Sequence, residues 1–166
     1  AAIAEKGSEH PLGQAILKGA EDRKIKLSRA HSFQTFSGKG IKANYKNKLI
    51  LVGNRLFMKD NKILITDLEG EIQKLESEGK TAVIVAFDKK IIGMIGIADT
   101  LKENSKEAVG RLKKMGIEAI MLTGDNDRTA KAIASQIGID NVMAEVLPQD
   151  KARKVRELQA KGRIVA

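Results

Sequence analysis

Ile117-Glu118-Ala119-Ile120-Met121-Leu122-Thr123-Gly124-Asp125-Asn126 is a largely apolar run that ends abruptly in a polar turn. A helical pattern follows at once: from Asp127 onward Ala130, Ile133, Ala134 and Ile137 fall on one face, and Gly138 supplies a stop. The stretch therefore reads as strand, loop, helix. In open α/β sheets ligands bind beyond the carboxyl ends of the strands, which places Thr123, Asp125 and Asn126 where a phosphate, or a metal-bound phosphate, is handled. Residues 125–127 are equally suited to capping the helix they precede, so spacing alone leaves both roles open.

Working outward, the chain after Asp99 alternates helix and strand. Helices are expected over about 102–115, from Asp127 to Ile137 and over about 149–160, with strands at 117–122, at about 141–145 and beginning at Arg163. Such alternation predicts a parallel, doubly wound α/β sheet. Asp99, Thr123, Asp125 and Lys151 each stand at a strand end or helix start. Capping explains the two aspartates, and a solvated first turn explains the lysine. The functional alternative is that Lys151 neutralises a phosphoryl group while the Thr123 hydroxyl and the backbone N–H groups near Gly124 bind its oxygens.

The chain before residue 91 follows a different plan. A short helical tail breaks at Gly7, and His10-Pro11 opens a helix, Pro11 suiting the first helical position and holding His10 at its mouth. Strands are expected at 32–35, 41–45 and 49–52, separated by the turns Ser37-Gly38-Lys39-Gly40 and Lys46-Asn47-Lys48, which predicts an antiparallel sheet. A short helix near residue 56, a helix over 67–77 stopped by Gly79, and two apolar strands joined at Asp88-Lys89-Lys90 complete it. Four features in this half suit an adenosine pocket: Glu5, His10, the Gly38-x-Gly40 turn and Gly53-Asn54. An imidazole stacks on a purine, a carboxylate accepts from the adenine amino group, and paired glycines let backbone N–H groups approach phosphates. Each also has an ordinary reading as a cap or turn residue.

Composition narrows the classes. The chain has 166 residues, 42% of them hydrophobic, enough for one ordinary domain or two small ones. With no Cys it has no disulfide, thiolate metal site or cysteine nucleophile, and two His are too few for a histidine metal cluster. No apolar run approaches a membrane span, so a soluble chain is expected. The net charge of +9 favours anionic partners. One Tyr, no Trp and no dense basic run argue against nucleic acid.

Ser8-Glu9-His10-Pro11-Leu12, Gly38-Lys39-Gly40, Gly53-Asn54, Gly79-Lys80-Thr81, Asp99-Thr100-Leu101-Lys102, Thr123-Gly124-Asp125-Asn126 and Pro148-Gln149-Asp150-Lys151, taken in this order, resemble the heavy-metal P-type ATPases, and most nearly their copper(I)-exporting branch. The resemblance implies a nucleotide-binding domain over 1–91 and a partial, haloacid dehalogenase-like phosphorylation domain over 92–166. It implies that Glu5 and His10 hold the adenine of ATP, that Gly38 and Gly40 line the phosphate path and that Gly53 and Asn54 complete the pocket. Thr123, Gly124, Asp125 and Lys151 would surround the transferred phosphoryl group, with Asp99 near the hinge. The implied partners are ATP, Mg²⁺ held mainly by residues outside this chain, and the transmembrane, actuator and remaining phosphorylation-domain segments of a larger pump at the cytoplasmic face of a membrane.

Two family segments have no counterpart here: the Asp-Lys-Thr-Gly-Thr segment with the phosphorylated aspartate, and the magnesium-binding Gly-Asp-Gly-Ile-Asn-Asp loop. Binding of ATP without turnover is therefore expected of this chain by itself, and a loosely folded second half with an exposed strand edge. The competing readings are a phosphatase of the haloacid dehalogenase kind with residues 1–91 as a cap, a regulatory nucleotide-binding module, and a zinc or cadmium pump in place of a copper one.

Overall fold

The computed structural model describes residues 1–98 and 101–166 and divides the chain into two compact units. The first comprises Ala1–Ile72 and Ala82–Ile97, the second Gln73–Thr81 and Ala98–Ala166. Asp99 lies outside the described residues. No helix among the described residues is long and apolar enough to cross a membrane.

The first unit is built on a five-stranded sheet in the order β1 (Ser32–Phe36), β2 (Gly40–Tyr45), β3 (Lys48–Gly53), β4 (Lys80–Phe87) and β5 (Lys90–Ala98), antiparallel from β1 through β4. Alternation sorts its side chains. Ile41, Ala43, Ile50, Val52, Val83 and Val85 face α1 (Ala2–Glu5) and α2 (Pro11–Asp22), packing with Ala4 and Ile16. Leu51, Ile84 and Ala86 face the other way, against Phe57 and Met58 of α3 (Arg55–Asp60) and Ile72 of α4 (Glu69–Ser77). Both faces of β3 and β4 are thus covered, which explains their unbroken apolar runs. The hairpin turns are tighter than expected. Lys46-Asn47 and Asp88-Lys89 are two-residue turns with both residues at positive φ, the geometry whose twist matches the strands. Helix α2 also runs on to Asp22, although a polar exit from Gly19 is expected from sequence.

The second unit holds a parallel pair, β6 (Ile120–Leu122) with β7 (Asn141–Met143), and helices α5 (Ser105–Lys114), α6 (Asp127–Ile137) and α7 (Lys151–Ala160). A turn of 3-10 helix, Pro148–Asp150, leads into α7. Two expectations are corrected. Both strands are shorter than their apolar runs, since only three residues of each find a partner. The strand expected from Arg163 does not form: residues 163–166 pair with no strand and Ile164 is fully exposed. A strand is defined by its ladder, and an apolar run without a neighbour stays irregular. Helix α6 ends as its sequence demands, with Gly138 at φ 78° donating its backbone N–H to the carbonyls of Ala134 and Ser135.

Candidate functional site

Three clusters of the expected site residues are distinguishable. The first lies where α1 passes into α2. Ser8 N donates to Glu5 O at 2.8 Å, Gln14 Nε2 donates to Ser8 O at 2.7 Å, and the turn so closed is capped by His10, whose Nδ1 accepts from Leu12 N at 3.2 Å. The imidazole is exposed, and the capping bond fixes Nδ1 as the acceptor, leaving Nε2 as the outer nitrogen. Glu5 is only 8% exposed. Gly13 makes this possible: a Cβ there would lie 2.8 Å from Ser8 Oγ and closer still to Glu5 Oε2. Burial pushes the Glu5 carboxyl up from its ordinary range, while the Ser8 hydrogen bond and the charge of His10 work in the opposite sense.

That shift has a sign that can be measured. The folded chain holds the Glu5 proton more tightly than the unfolded chain, so the stability linked to this group is full at low pH and is lost as pH rises above the ordinary carboxylate range. Glu5→Gln is therefore expected to melt at a higher temperature than the parent at pH 7, with the difference shrinking toward about pH 4. Equal melting temperatures at pH 7 would show that the carboxylate is not held against its own stability.

The second cluster joins the turn between β1 and β2 to the start of α3. Asn54 caps α3 by accepting from Phe57 N at 3.0 Å, and its Nδ2 donates to Gly38 O at 2.9 Å, while Asn54 N donates to Lys39 O at 2.9 Å. Gly40 and Gly53 are directly opposed in the β2–β3 register. A Cβ on Gly40 would sit 2.7 Å from Gly53 Cα and 2.9 Å from the Phe57 ring, and a Cβ on Gly53 would sit 2.7 Å from that ring. These two glycines are thus required by close packing. Gly38 differs: at φ 68° it faces open space, with nothing within 4 Å of the position its Cβ would take, so its backbone is the part of the turn that a ligand can approach.

The third cluster follows β6. Thr123 Oγ1 donates to Asp125 Oδ2 at 2.8 Å and accepts from Asp125 N at 3.1 Å, and Asn126 caps α6 by accepting from Thr129 N at 3.1 Å. The loop after β7 is tied to it, Val146 N donating to Thr123 O at 3.0 Å and Glu145 N to Asp125 O at 2.8 Å. Glu145 holds a left-handed backbone, φ 56°, to do so, a conformation costing about 1–2 kcal/mol in a non-glycine residue. Gly124 is exposed and its neighbours leave room for a Cβ. Lys151 opens α7, exposed, and makes no ion pair among the described residues. It shares no hydrogen bond with Thr123 or Asp125.

Several contacts that shape these clusters leave no mark in the local sequence pattern. Phe57 sets the spacing of the glycine pair, and Ser8 and Gly13 seat Glu5; none has a local signal, since each acts through a contact across elements. The same holds for Thr129, 1% exposed, whose Oγ1 donates to Lys80 O at 3.2 Å, and for Glu76, 2% exposed, paired with Arg128 at 3.4 Å. Among the described residues no group of three or more His, Cys, Asp or Glu is arranged to hold a metal ion.

Comparison with known proteins matches these features to one group. A model of the haloacid dehalogenase-like hydrolases matches residues 1–166. A copper-exporting P-type ATPase of Staphylococcus saprophyticus is 45% identical over 165 residues, 99% of this chain and 21% of that protein. The crystal structure of a zinc-transporting PIB-type ATPase in its E2.Pi state superposes with a TM-score of 0.65 at 33% identity, over 96% of this chain and 26% of that one. The catalytic domain of the CPx-ATPase CopB-B shares the fold, with a TM-score of 0.66 at 22% identity, over 98% of this chain and 57% of that domain. The chain spans about a fifth of the length of the curated relatives it matches. With its antiparallel unit, its parallel strand pair and its Thr-Gly-Asp-Asn loop, the chain belongs to the haloacid dehalogenase-like hydrolases and, among them, to the heavy-metal P-type ATPases.

Proposed function

We propose that residues 1–91 bind ATP and that residues 92–166 receive its terminal phosphoryl group, as parts of a pump that couples ATP hydrolysis to export of copper(I) or a similar soft ion, with this chain on the cytosolic side of the membrane. The observation that carries the reading is the junction of the Gly38 turn with Gly53-Asn54, where an open, left-handed backbone is pinned by Asn54 beside two strands packed too closely for side chains. Such a backbone offers N–H groups to phosphate oxygens. The buried Glu5 carboxylate accepts from the adenine amino group, and the exposed His10 ring covers the base.

In the second unit the Thr123 hydroxyl and the N–H groups of the 123–126 loop bind phosphoryl oxygens, and Lys151 supplies charge when the loops close around the group. Magnesium does not fit the described residues as a site of its own, since among them no group of three or more His, Cys, Asp or Glu is arranged to hold a metal ion. The chain holds neither an Asp-Lys-Thr-Gly-Thr segment nor a Gly-Asp-Gly-Ile-Asn-Asp loop, so it is expected to bind ATP without hydrolysing it.

Copper is favoured by the 45% identity to a copper exporter. The zinc-transporting structure at 33% identity supports a zinc or cadmium pump as the second reading, and stimulation of the full-length ATPase by copper(I) or by zinc separates them. For the nucleotide, His10→Gln is the variant of choice. It is expected to weaken ATP binding about tenfold, equivalent to about 1.4 kcal/mol, while the loss of one cap changes stability by about 1 kcal/mol or less. Unchanged affinity by calorimetry, with only a lowered melting temperature, would return His10 to capping alone.

A further inference from the structure

On the sheet face opposite α1 and α2, helix α3 and the chain that leaves it border an apolar groove of about 860 Å³. Ile63 lines it at 7% exposure, whereas the next residue, Leu64, is 84% exposed, and Leu56 of α3 lines it half exposed. The segment is pinned, since Lys62 N donates to Lys59 O and Ile63 N to Met58 O, both at 2.9 Å. Ile63 is thereby drawn into the cluster of Met58 and Ile72, and Leu64 is held outward on a fixed backbone. A single exposed leucine is ordinary on a protein surface, but two bordering one groove form a patch. The charges around it are one-sided. Lys59 and Lys62 also line the groove, both exposed, and neither forms an ion pair among the described residues. Asp60, beside Lys59 in sequence, is taken by Lys39 at 2.7 Å, and Glu69 by Arg55 at 2.8 Å.

We propose that this groove docks an acidic amphipathic helix of a partner protein, which seats its apolar side chains against Leu56 and Leu64 and sets its carboxylates against Lys59 and Lys62. A groove accepts the apolar ridge that residues three and four apart make along a helix. The two lysines supply the complementary charge, which speeds encounter and selects against basic partners. A second copy of the chain fits less well, because each copy carries a net charge of +9 and would bring its own lysine pair against this one. A bilayer is flat, and it meets the projecting Leu64 before it can fill the groove behind.

The test titrates the whole chain with two peptides of about 15 residues, long enough to hold a helix. Both carry leucines at i, i+3, i+4 and i+7, one with glutamates and the other with lysines on the flanks. Amides of residues 55–66 are expected to move with the glutamate peptide and to stay in place with the lysine peptide. Leu64→Ser weakens the glutamate peptide about tenfold. The double variant Lys59→Glu, Lys62→Glu does the same and gains a response to the lysine peptide. All three side chains are exposed, so these variants keep the fold, which the amides of β2 to β4 verify. An equal response to both peptides, or a response to neither, would overturn the proposal. A concentration-dependent dimer that Leu64→Ser abolishes would overturn it in favour of a second copy. Binding to vesicles of mixed phosphatidylserine and phosphatidylcholine, with no response to either peptide, would overturn it in favour of a lipid surface.

Discussion

Phe57→Ala is expected to destabilise the antiparallel unit by about 4 kcal/mol, within the range for truncating a buried phenylalanine. The side chain is 1% exposed and packs in the cluster of Leu51, Met58, Ile72 and Ile84. Its ring also meets that of Phe36 at 5.2 Å between centroids, tilted by 46°, and it is the surface that Gly40 and Gly53 press against. Removing it opens a cavity beside two glycines that have no side chains with which to fill it. Urea denaturation is the measurement, with a lowered midpoint at an unchanged slope as the expected result. A loss below about 1 kcal/mol would mean that the cluster collapses to fill the space and that Phe57 does not set the glycine spacing.

The second large effect comes from adding a methyl group instead of removing a ring. Gly40→Ala is expected to cost about 3 kcal/mol, the upper part of the range for overpacking, because two of the atoms its Cβ would meet, Val52 O and Gly53 Cα, belong to the backbone of the neighbouring strand and cannot swing aside. Gly38→Ala provides the contrast. It strains only its own left-handed backbone, at about 1 kcal/mol, since nothing lies within 4 Å of its added Cβ. The two alanines therefore separate packing from access: Gly40→Ala lowers stability first, whereas Gly38→Ala leaves a folded protein in which any loss of ATP affinity is local. In combination with Phe57→Ala, Gly40→Ala should remain costly, because the ring is only one of its three obstacles. Stability equal to wild type in Gly40→Ala would show that β2 and β3 are not in close contact at this point.

These contacts also mark where sequence reading stops. The loop Thr123–Asn126 and the helix after it were readable because their signals are local: an apolar run, an Asn that caps, a periodic face and a glycine in the left-handed conformation. The length of β6 was not readable, since it depends on how far β7 runs beside it. In the first unit the turn glycines are visible as a pattern, but the reason for Gly40 and Gly53 lies in a cross-strand register that places them face to face and in a ring from the following helix. Glu5 shows the same limit. Its position is legible, whereas its burial depends on Gly13, on the next helix, and on the Ser8 turn. Lys151 is readable as a helix start, yet it makes no hydrogen bond or ion pair with Thr123 or Asp125. The roles proposed for these residues rest on the resemblance of the motifs to the heavy-metal P-type ATPases, since neither periodicity nor spacing carries them.

Nucleotide binding by residues 1–91 is the claim on which the functional account depends, and an NMR titration of the chain with ATP, GTP and AMP tests it most directly. The account predicts amide shifts concentrated at Glu5, His10, Gly38, Gly40, Gly53 and Asn54, larger for ATP than for GTP because the proposed acceptance by Glu5 from the adenine 6-amino group would meet a carbonyl oxygen at that position of guanine, and reduced at Gly38 for AMP, which lacks the outer phosphates. A well-dispersed spectrum in which ATP moves none of these amides, or moves them no more than GTP does, would contradict it.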